Sequence, residues 1–296
     1  MKKLAVPFVL ISGTCWAGMT VFIRMLRDLG LNTMDMVLIR CVMTSILLFL
    51  ILFVTNREKL RVKQKDLPLF ILSAAVTVLL FNYCYFRAVN SMSISIAVVL
   101  LYISPAFVML LSAIIFRETI TKAKVVSLVM MAVGTVLVTG LVGSELTVTP
   151  LGFLLGIGSA LFYAMVSIFN PIAIRRGYTG PTITFYTYLF AIAGALLLAD
   201  VPLAFRTMFG SFSTFLLSCA FAVISTVLPF VLYSTALQYI EPSRAALICS
   251  IEPVVGALVS VFVYHEPMTG LMLIGIAIIM AAIVICNLKP QEKKQA

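Results

Sequence analysis

Charged residues are scarce in this chain of 296 residues: only 11% are Asp, Glu, Lys or Arg, against roughly 25% in soluble domains. Hydrophobic residues make up 62% of the sequence, and the mean hydropathy is +1.15. The apolar residues form long unbroken runs, without the short alternating segments of an outer-membrane barrel. The composition therefore excludes a soluble domain and predicts an all-α polytopic membrane protein.

Residues that carry enzymatic or metal chemistry are also few. The single histidine, His265, lies at a span end with no cysteine beside it, and the six cysteines form no CxxC pair. We interpret the cysteines as small buried hydrophobes. There is no HExxH motif, no aspartate in mid-span and no GxxxxGK[ST] loop, which argues against an intramembrane protease and an ATP-driven pump. We expect no enzyme activity, no catalytic residue, no metal and no cofactor.

Hydropathy windows of about 19 residues predict ten membrane-spanning helices joined by short connections. The first is interpreted as an uncleaved span, because further spans follow at once. The predicted spans cover approximately residues 4–23, 34–54, 68–88, 94–116, 123–142, 150–171, 180–199, 212–235, 243–264 and 269–288.

The lysines and arginines predict the orientation. With the amino terminus inside, the inner side holds 16 of the 21 basic residues, including the loop 57–65 and Lys289, Lys293 and Lys294. The net charge of +10 then belongs to cytoplasmic loops, and we expect no nucleic-acid partner. The predicted location is the plasma (inner) membrane, multi-pass, with both termini cytoplasmic.

The second half of the sequence echoes the first. At an offset of 148 residues, SPAFVMLLSAIIFRETIT (104–121) aligns with EPVVGALVSVFVYHEPMT (252–269), and at an offset of 147 Trp16 aligns with Tyr163. Five spans per half is an odd number, so the two halves are predicted to lie upside down relative to each other. Many secondary transporters use such inverted repeats to build two alternately open faces around a central site.

This alignment divides the chain into three parts. Residues 1–143 form a first five-helix repeat, residues 147–289 form a second, inverted repeat, and residues 290–296 form a cytoplasmic tail. The expected architecture is two inverted repeats around a central cavity. One chain already contains both halves, so a monomer can suffice, and a dimer stays open.

The paired P-x12-E-x2-T motifs, the aromatic residue near the start of each half and Arg40 in the second span resemble the EamA-like branch of the drug/metabolite transporter superfamily. The resemblance covers essentially the whole chain. It implies a ten-helix fold and the export or exchange of small metabolites such as amino acids, nucleosides or drug-like amines. The alternative interpretation is a non-transporting membrane sensor or partner subunit.

Glu252 lies near the middle of the ninth predicted span, directly before Pro253. A charged side chain at that depth costs roughly 2.5–3.5 kcal/mol on insertion scales, so it should face a cavity or a partner. One interpretation is a coupling group that binds and releases a proton. The other is structural: Glu252 supports the proline kink or pairs with Arg40.

Arg40 is the other charge well inside a predicted span, about two turns from its outer end. It could bind a substrate carboxylate through its planar fork. It could instead pair with Glu252 or Asp35, or extend toward the interface. The sequence leaves these alternatives open.

Polar and aromatic side chains at similar depth are further candidates for substrate binding, and three prolines are candidate hinges for alternating access. An aromatic, weakly charged cavity would suit amphipathic solutes, with cation–π contacts to amines. The candidates are Trp16 and Thr20 in the first span, Asn82 and Tyr83 in the third, Tyr102 and Ser104 in the fourth, Tyr163 and Asn170 in the sixth and Tyr233 in the eighth, with Pro105, Pro253 and Pro229 as hinges.

Overall fold

The structure is a computed structural model that describes residues 2–141 and 148–287. In these ranges the regular structure is helical, without a strand. A helix pairs its backbone N–H and C=O groups within itself, as a lipid environment requires. The predicted boundary at 143 and 147, the tail 290–296 and the three lysines near the carboxyl terminus lie outside the described residues.

Eleven helices account for most of the described chain, each taken here as one element even where it contains an internal break. They are α1 (Ala5–Asp28), α2 (Thr33–Thr55), α3 (Gln64–Val89), α4 (Ile94–Phe116), α5 (Lys122–Val138), α6 (Pro150–Arg175), α7 (Gly180–Leu198), α8 (Val201–Phe209), α9 (Phe212–Ala236), α10 (Pro242–Tyr264) and α11 (Gly270–Asn287).

Nine of the described helices are long and apolar enough to cross a membrane, namely all except α5 and α8. Helix α5 coincides with the fifth predicted span but has only 17 residues. Helix α8 is short and has nine residues. The chain is therefore a multi-pass, all-helical membrane protein, as the composition predicts.

Helices from the first half (residues 2–141) pack largely against helices from the second half (148–287). Helix α1 packs against α9 and α10, α2 against α7, and α6 against α3 and α4. Helices α5 and α11 pack closely because glycines face each other there, and a Cβ on Gly134 would lie 2.6 Å from the Ile279 side chain. The two halves thus share one core, with its centre beside α1.

Two helices are interrupted where a proline follows. Helix α4 breaks at Tyr102 and Ile103, and α10 breaks at Ser250 and Ile251. Pro105 and Pro253 have no N–H to donate to the preceding turn. At each break a backbone N–H donates to the carbonyl three residues earlier, as in a 3₁₀ turn, and not four residues earlier. Ile103 N–H donates to Leu100 C=O at 3.1 Å, and Ile251 N–H donates to Ile248 C=O at 3.2 Å.

The same two helices also end alike. Arg117 and His265 adopt left-handed backbone conformations, with φ of 58° and 56°. The next residue in each case, Glu118 or Glu266, donates its N–H back to a serine carbonyl in the last turn. Thr121 and Thr269 then accept a backbone N–H at the start of α5 and α11. The two threonines therefore cap the starts of the helices that follow.

Two other helices contain π-helical segments, Ala74–Leu80 in α3 and Val223–Val227 in α9. Each such segment changes which side chains face the core after it, because the turn holds more residues than an α-helical turn. The second segment turns Ser225 and Thr226 into the protein interior, where both are fully buried.

Candidate functional site

Glu252 is the first residue of the second segment of α10, and only 8% of it is exposed. Tyr163 donates its hydroxyl to Glu252 Oε1 at 2.7 Å, and Tyr102 donates to Oε2 at 3.2 Å. The Cys249 thiol lies 3.3 Å from Oε1 and donates to it. These donors come from α6, α4 and α10, so the carboxylate lies where broken helices of both halves meet.

The break itself explains this position. A carboxylate at the start of a helical segment lies near its exposed N–H groups, which favour a negative charge. Tyr102 lies at the equivalent break of α4, two residues before Ser104, so its hydroxyl reaches across to the same point. The two proline breaks therefore bring one acid and one phenol together in the middle of the bundle.

A small cavity of about 30 Å³ adjoins Glu252, room for one or two water molecules. It is too small for a metabolite in this conformation. Of the sequence-predicted residues, those that line it are Trp16, Tyr102, Ser104, Pro105, Tyr163, Tyr233 and Glu252; Ser167, Cys249 and Ser250 are also among its lining residues.

Aromatic rings form the wall of the cavity around Trp16. The Trp16 ring lies 5.0 Å from Phe230, 5.5 Å from Tyr233 and 6.1 Å from Tyr163, measured between centroids. These are distances at which aromatic pairs attract one another. The Tyr233 hydroxyl is also fixed, since it shares a hydrogen bond of 2.7 Å with Ser167.

Four other predicted site residues lie away from this cavity. Thr20 is exposed and donates to a carbonyl of its own helix, and Tyr83 is 43% exposed. Asn82 is half-buried and donates to the Val78 carbonyl one turn earlier, at 2.6 Å. Asn170 is buried and donates to Ser234 Oγ at 2.9 Å, joining α6 to α9. Substrate contact by these four side chains stays a prediction.

Arg40 is buried, with 8% exposed, and also lies outside that cavity. Its guanidinium carbon is 5.8 Å from the centre of the Tyr188 ring, and its Nη1 lies 3.6 Å from Met19 Sδ. Neither of the two acids suggested by the sequence pairs with Arg40. Asp35 accepts hydrogen bonds from backbone N–H groups, and Glu252 accepts hydrogen bonds from two tyrosine hydroxyls. Its burial also excludes the interfacial interpretation.

Cys249 corrects one sequence-based expectation. It is not merely a small buried hydrophobe, because its thiol donates to Glu252. The signal in the sequence is the spacing: Cys249 precedes Glu252 by three residues, which places both on one side of a helical turn.

Gly13 also belongs to the site, although hydropathy gives no reason to single it out. A Cβ on Gly13 would lie 2.9 Å from the Cys249 carbonyl oxygen and 2.6 Å from Ile251 Cγ2. That carbonyl is the one that Pro253 leaves without its usual helical donor. The missing side chain therefore lets α1 pack directly against the break in α10.

The three predicted hinge prolines lie in two kinds of setting. Pro105 and Pro253 follow the breaks in α4 and α10. Pro229 lies inside α9, directly after the π-helical segment, and its carbonyl accepts the Ser12 hydroxyl at 2.9 Å. Hinge motion at these positions stays a prediction.

The end of the bundle that holds the 57–65 loop and the start of α5, here called the basic end, carries polar bridges between the halves. Lys124, with a side chain 8% exposed, lies 3.5 Å from Glu118 and 2.6 Å from Glu241. Ser243 donates to Glu118 through a short hydrogen bond. One buried lysine thus binds an acid of each half.

A second bridge at the basic end joins α3 to the connection between α6 and α7. Arg176 Nη1 and the Tyr178 hydroxyl each donate to the Asp66 carboxylate at 2.6 Å. Partial burial and the hydrogen bond to Asp66 raise the pKa of Tyr178 above its usual value, so the phenol stays protonated and donates.

The opposite end is also linked across the halves. Asp200 N–H donates to Asp35 Oδ1 at 2.7 Å, and the Arg24 guanidinium lies 3.5 Å from the centre of the Tyr264 ring. Contacts between the halves are thus present at both ends of the bundle.

Comparison with known proteins places this architecture among transporters. The model of the EamA-like transporter family matches residues 3–140 and 150–288. An uncharacterised transporter of Archaeoglobus fulgidus is 32% identical over 206 residues, covering 68% of this chain and 70% of that protein. The uncharacterised transporter YxxF of Bacillus subtilis is 23% identical over 271 residues, covering 89% and 84%.

The fold is also found among solved structures. One crystal structure matches with a TM-score of 0.80 over 97% of each chain, at 15% sequence identity, and so supports the fold alone. The family match spans nearly the whole chain, and the relatives are named as transporters. The chain belongs to the EamA-like transporter family.

Proposed function

We propose that this chain is a secondary active transporter that moves small metabolites by alternating access, with Glu252 at its central site. The observation that carries the proposal is the position of Glu252. It is a buried carboxylate within a membrane span, bound by a phenol from each half at the meeting point of two broken helices. Intramembrane acids in such settings mark substrate or ion pathways.

The proposal includes ten spans arranged as two inverted repeats. Helix α5 would be the tenth span: its 17 residues reach about 25 Å, and a membrane adapts to such a mismatch at modest cost. Support for the repeats comes from the matching breaks and left-handed helix ends of α4 and α10, and from the two stretches of near-equal length that the family model matches.

The small size of the cavity supports alternating access. A volume of about 30 Å³ cannot hold a metabolite, so transport requires the halves to separate at one end and then at the other. The breaks before Pro105 and Pro253 are the proposed hinges, since a backbone that already lacks an α-helical hydrogen bond bends at lower cost. Pro229, beside the π-helical segment, is the third.

The proposed substrates are amino acids or amphipathic amines. The aromatic wall around Trp16 would stack on an apolar or cationic body, and Glu252 would accept an ammonium group. Export or exchange is the proposed direction. Exchange of a proton for the substrate at Glu252 would couple transport to the proton gradient.

The proposed setting is the plasma (inner) membrane with both termini cytoplasmic, because the basic end then faces the cytoplasm. No step of this mechanism requires an enzyme activity or a second copy of the chain.

The test is uptake by proteoliposomes that contain the purified full-length protein, offered a mixture of amino acids and amines under an imposed pH gradient. We expect gradient-driven accumulation of a subset of solutes by the wild type. Glu252→Gln keeps the shape of the side chain and removes its charge, so it should abolish the response to the gradient while counterflow persists.

The matched control is Glu266→Gln, which removes an exposed acid at the end of the same helix and should transport normally. Accumulation that is equal in wild type and Glu252→Gln would contradict proton coupling. Saturable ligand binding without flux or counterflow would contradict transport itself and favour a membrane sensor.

A further inference from the structure

We propose that Arg40 and Thr44, both on α2, form a binding subsite for a carboxylate group, separate from the Glu252 cavity. Arg40 lies within a membrane span and is more than nine-tenths buried. Its Nε atom has no hydrogen-bond partner among the described residues. Its Nη1 atom donates to the sulfur of Met19 at 3.6 Å, and a thioether sulfur is a weak acceptor.

The neighbouring acids do not neutralise this guanidinium. Asp35, one and a half turns earlier on α2, accepts the N–H groups of Asn32 and Asp200 at 2.8 and 2.7 Å. In residues 2–141 and 148–287 no carboxylate pairs with Arg40. Leaving a buried charge without a counter-charge is costly. An anion from outside the chain would remove that cost.

Thr44 supplies the second polar atom. It lies four residues after Arg40, so both side chains lie on the same face of α2. Its hydroxyl is fully buried and also has no partner among the described residues. The guanidinium fork and the hydroxyl together offer donors to both oxygens of a planar carboxylate.

The surroundings favour a carboxylate on an organic body over a hydrated inorganic anion. The Tyr188 ring lies 5.8 Å from the guanidinium carbon. The neighbours of Arg40 on α2, Ile39, Cys41 and Met43, are buried apolar side chains. An apolar setting of this kind suits the hydrocarbon part of an organic anion.

Packed aromatic rings lie between this subsite and the Glu252 cavity. Tyr188 lies 5.5 Å from Phe230, and Phe230 lies 5.0 Å from Trp16 in the cavity wall. A solute that carries both a carboxylate and an amine offers one group to Arg40 and the other to Glu252 in the proposed transport cycle. This identification of the carboxylate with the transported solute rests on the proposed function, whereas the binding site does not.

Trp16 is the only tryptophan in the chain, so its fluorescence reports on this region directly. We would titrate purified full-length protein with propionate, propionamide, propylammonium and chloride, and record both Trp16 fluorescence and the unfolding temperature. Propionate and propionamide have the same shape and differ in charge. We expect propionate to bind roughly tenfold or more tighter than propionamide, as loss of a charge-assisted hydrogen bond predicts.

Three variants test separately the charge of Arg40, its planar guanidinium group and the hydroxyl of Thr44. Arg40→Gln should abolish the propionate response, Arg40→Lys should weaken it about tenfold because lysine lacks the fork, and Thr44→Val should weaken it several-fold. Arg206→Gln removes an exposed arginine on α8 and should leave the response unchanged. Without ligand, Arg40→Gln should unfold at a higher temperature, since an uncompensated charge is gone.

Equal responses to propionate and chloride would overturn the carboxylate site, and so would a propionate response that survives Arg40→Gln. If Arg40→Gln does not fold, an unchanged propionate response in both Arg40→Lys and Thr44→Val would overturn it instead. Flux assays on the same preparations separate the two proposals. Propionate binding without flux of any solute would contradict the proposed transport and support the subsite. Flux without any response to propionate would support transport and contradict the subsite.

Discussion

The breaks in α4 and α10 have nearly the same backbone and different chemistry. Each break contains a 3₁₀-type turn before a proline, and each of the two helices ends at a residue with a left-handed backbone conformation. The residue before the proline is Ser104 in the first half and Glu252 in the second. The proline therefore determines where the helix bends, and the residue before it determines what the bend can bind.

The packing partners of the two breaks differ as well. Gly13 of α1 lies against the break in α10, whereas the residue that aligns with Gly13 at an offset of 147 is Ala160, which is fully buried in α6. The two positions therefore differ in side chain as well as in the residue that precedes the proline.

The largest effect should come from adding an acid to the first break. Ser104→Glu places a second carboxylate beside the same cavity and should lower the free energy of unfolding by about 3 kcal/mol. The exchange variant Ser104→Glu/Glu252→Ser returns the cavity to one carboxylate and should recover most of that loss. Thermal unfolding of the full-length protein in detergent measures both, and an exchange variant no more stable than Ser104→Glu would contradict the equivalence of the breaks.

A smaller effect is expected from making α1 resemble its counterpart. Gly13→Ala places a methyl group 2.9 Å from the Cys249 carbonyl and should cost about 2 kcal/mol through overpacking. Gly18→Ala, on the same helix with open space around it, should instead stabilise the protein by up to about 1 kcal/mol. Equal unfolding temperatures for the two variants would show that α1 does not need its close approach to α10.

The smallest effect should separate the two phenols that bind Glu252. Tyr163 donates at 2.7 Å and Tyr102 at 3.2 Å, so the shorter bond should contribute more. We expect Tyr163→Phe to lower the free energy of unfolding by about 1.5 kcal/mol and Tyr102→Phe by about 0.5 kcal/mol. The reverse order in denaturant or thermal unfolding would mean that Tyr102, at the break in α4, holds the acid more tightly than Tyr163 of α6.

Nine of the ten predicted spans coincide with described helices long enough to cross a membrane, whereas the face of the helix on which a residue lies was less predictable. Tyr102 and Tyr163 follow from the proline spacing and the repeat offset, and both reach Glu252. Asn82 and Tyr83 share that depth, yet they follow the π-helical segment Ala74–Leu80. Each extra residue in a turn rotates the rest of the helix by about 100°, and hydropathy does not reveal it.

Cys249 and Gly13 were not singled out from the sequence for a related reason. A buried cysteine and a membrane-helix glycine are both common in apolar spans. Their roles come from contacts with Glu252 and with the break in α10, which depend on how three helices cross. Arg40 was visible as a charge in a span, but only its surroundings show that Asp35 and Glu252 are bound to other groups.

The Lys124 bridge has a consequence for how readily the basic end could open. The pair with Glu118 lies within the first half and is buried on both sides, whereas the Glu241 side chain of the second half is 51% exposed. If the halves separate there, the lysine keeps a carboxylate, and the Glu241 carboxylate gains water. Solvent screens the attraction between Lys124 and the half-exposed Glu241 carboxylate, and the Ser243 hydroxyl bond to the charged Glu118 carboxylate contributes roughly 1.5–3 kcal/mol. Release of this bridge therefore leaves the buried lysine neutralised, while the second bridge, on Asp66, must also part before the basic end opens.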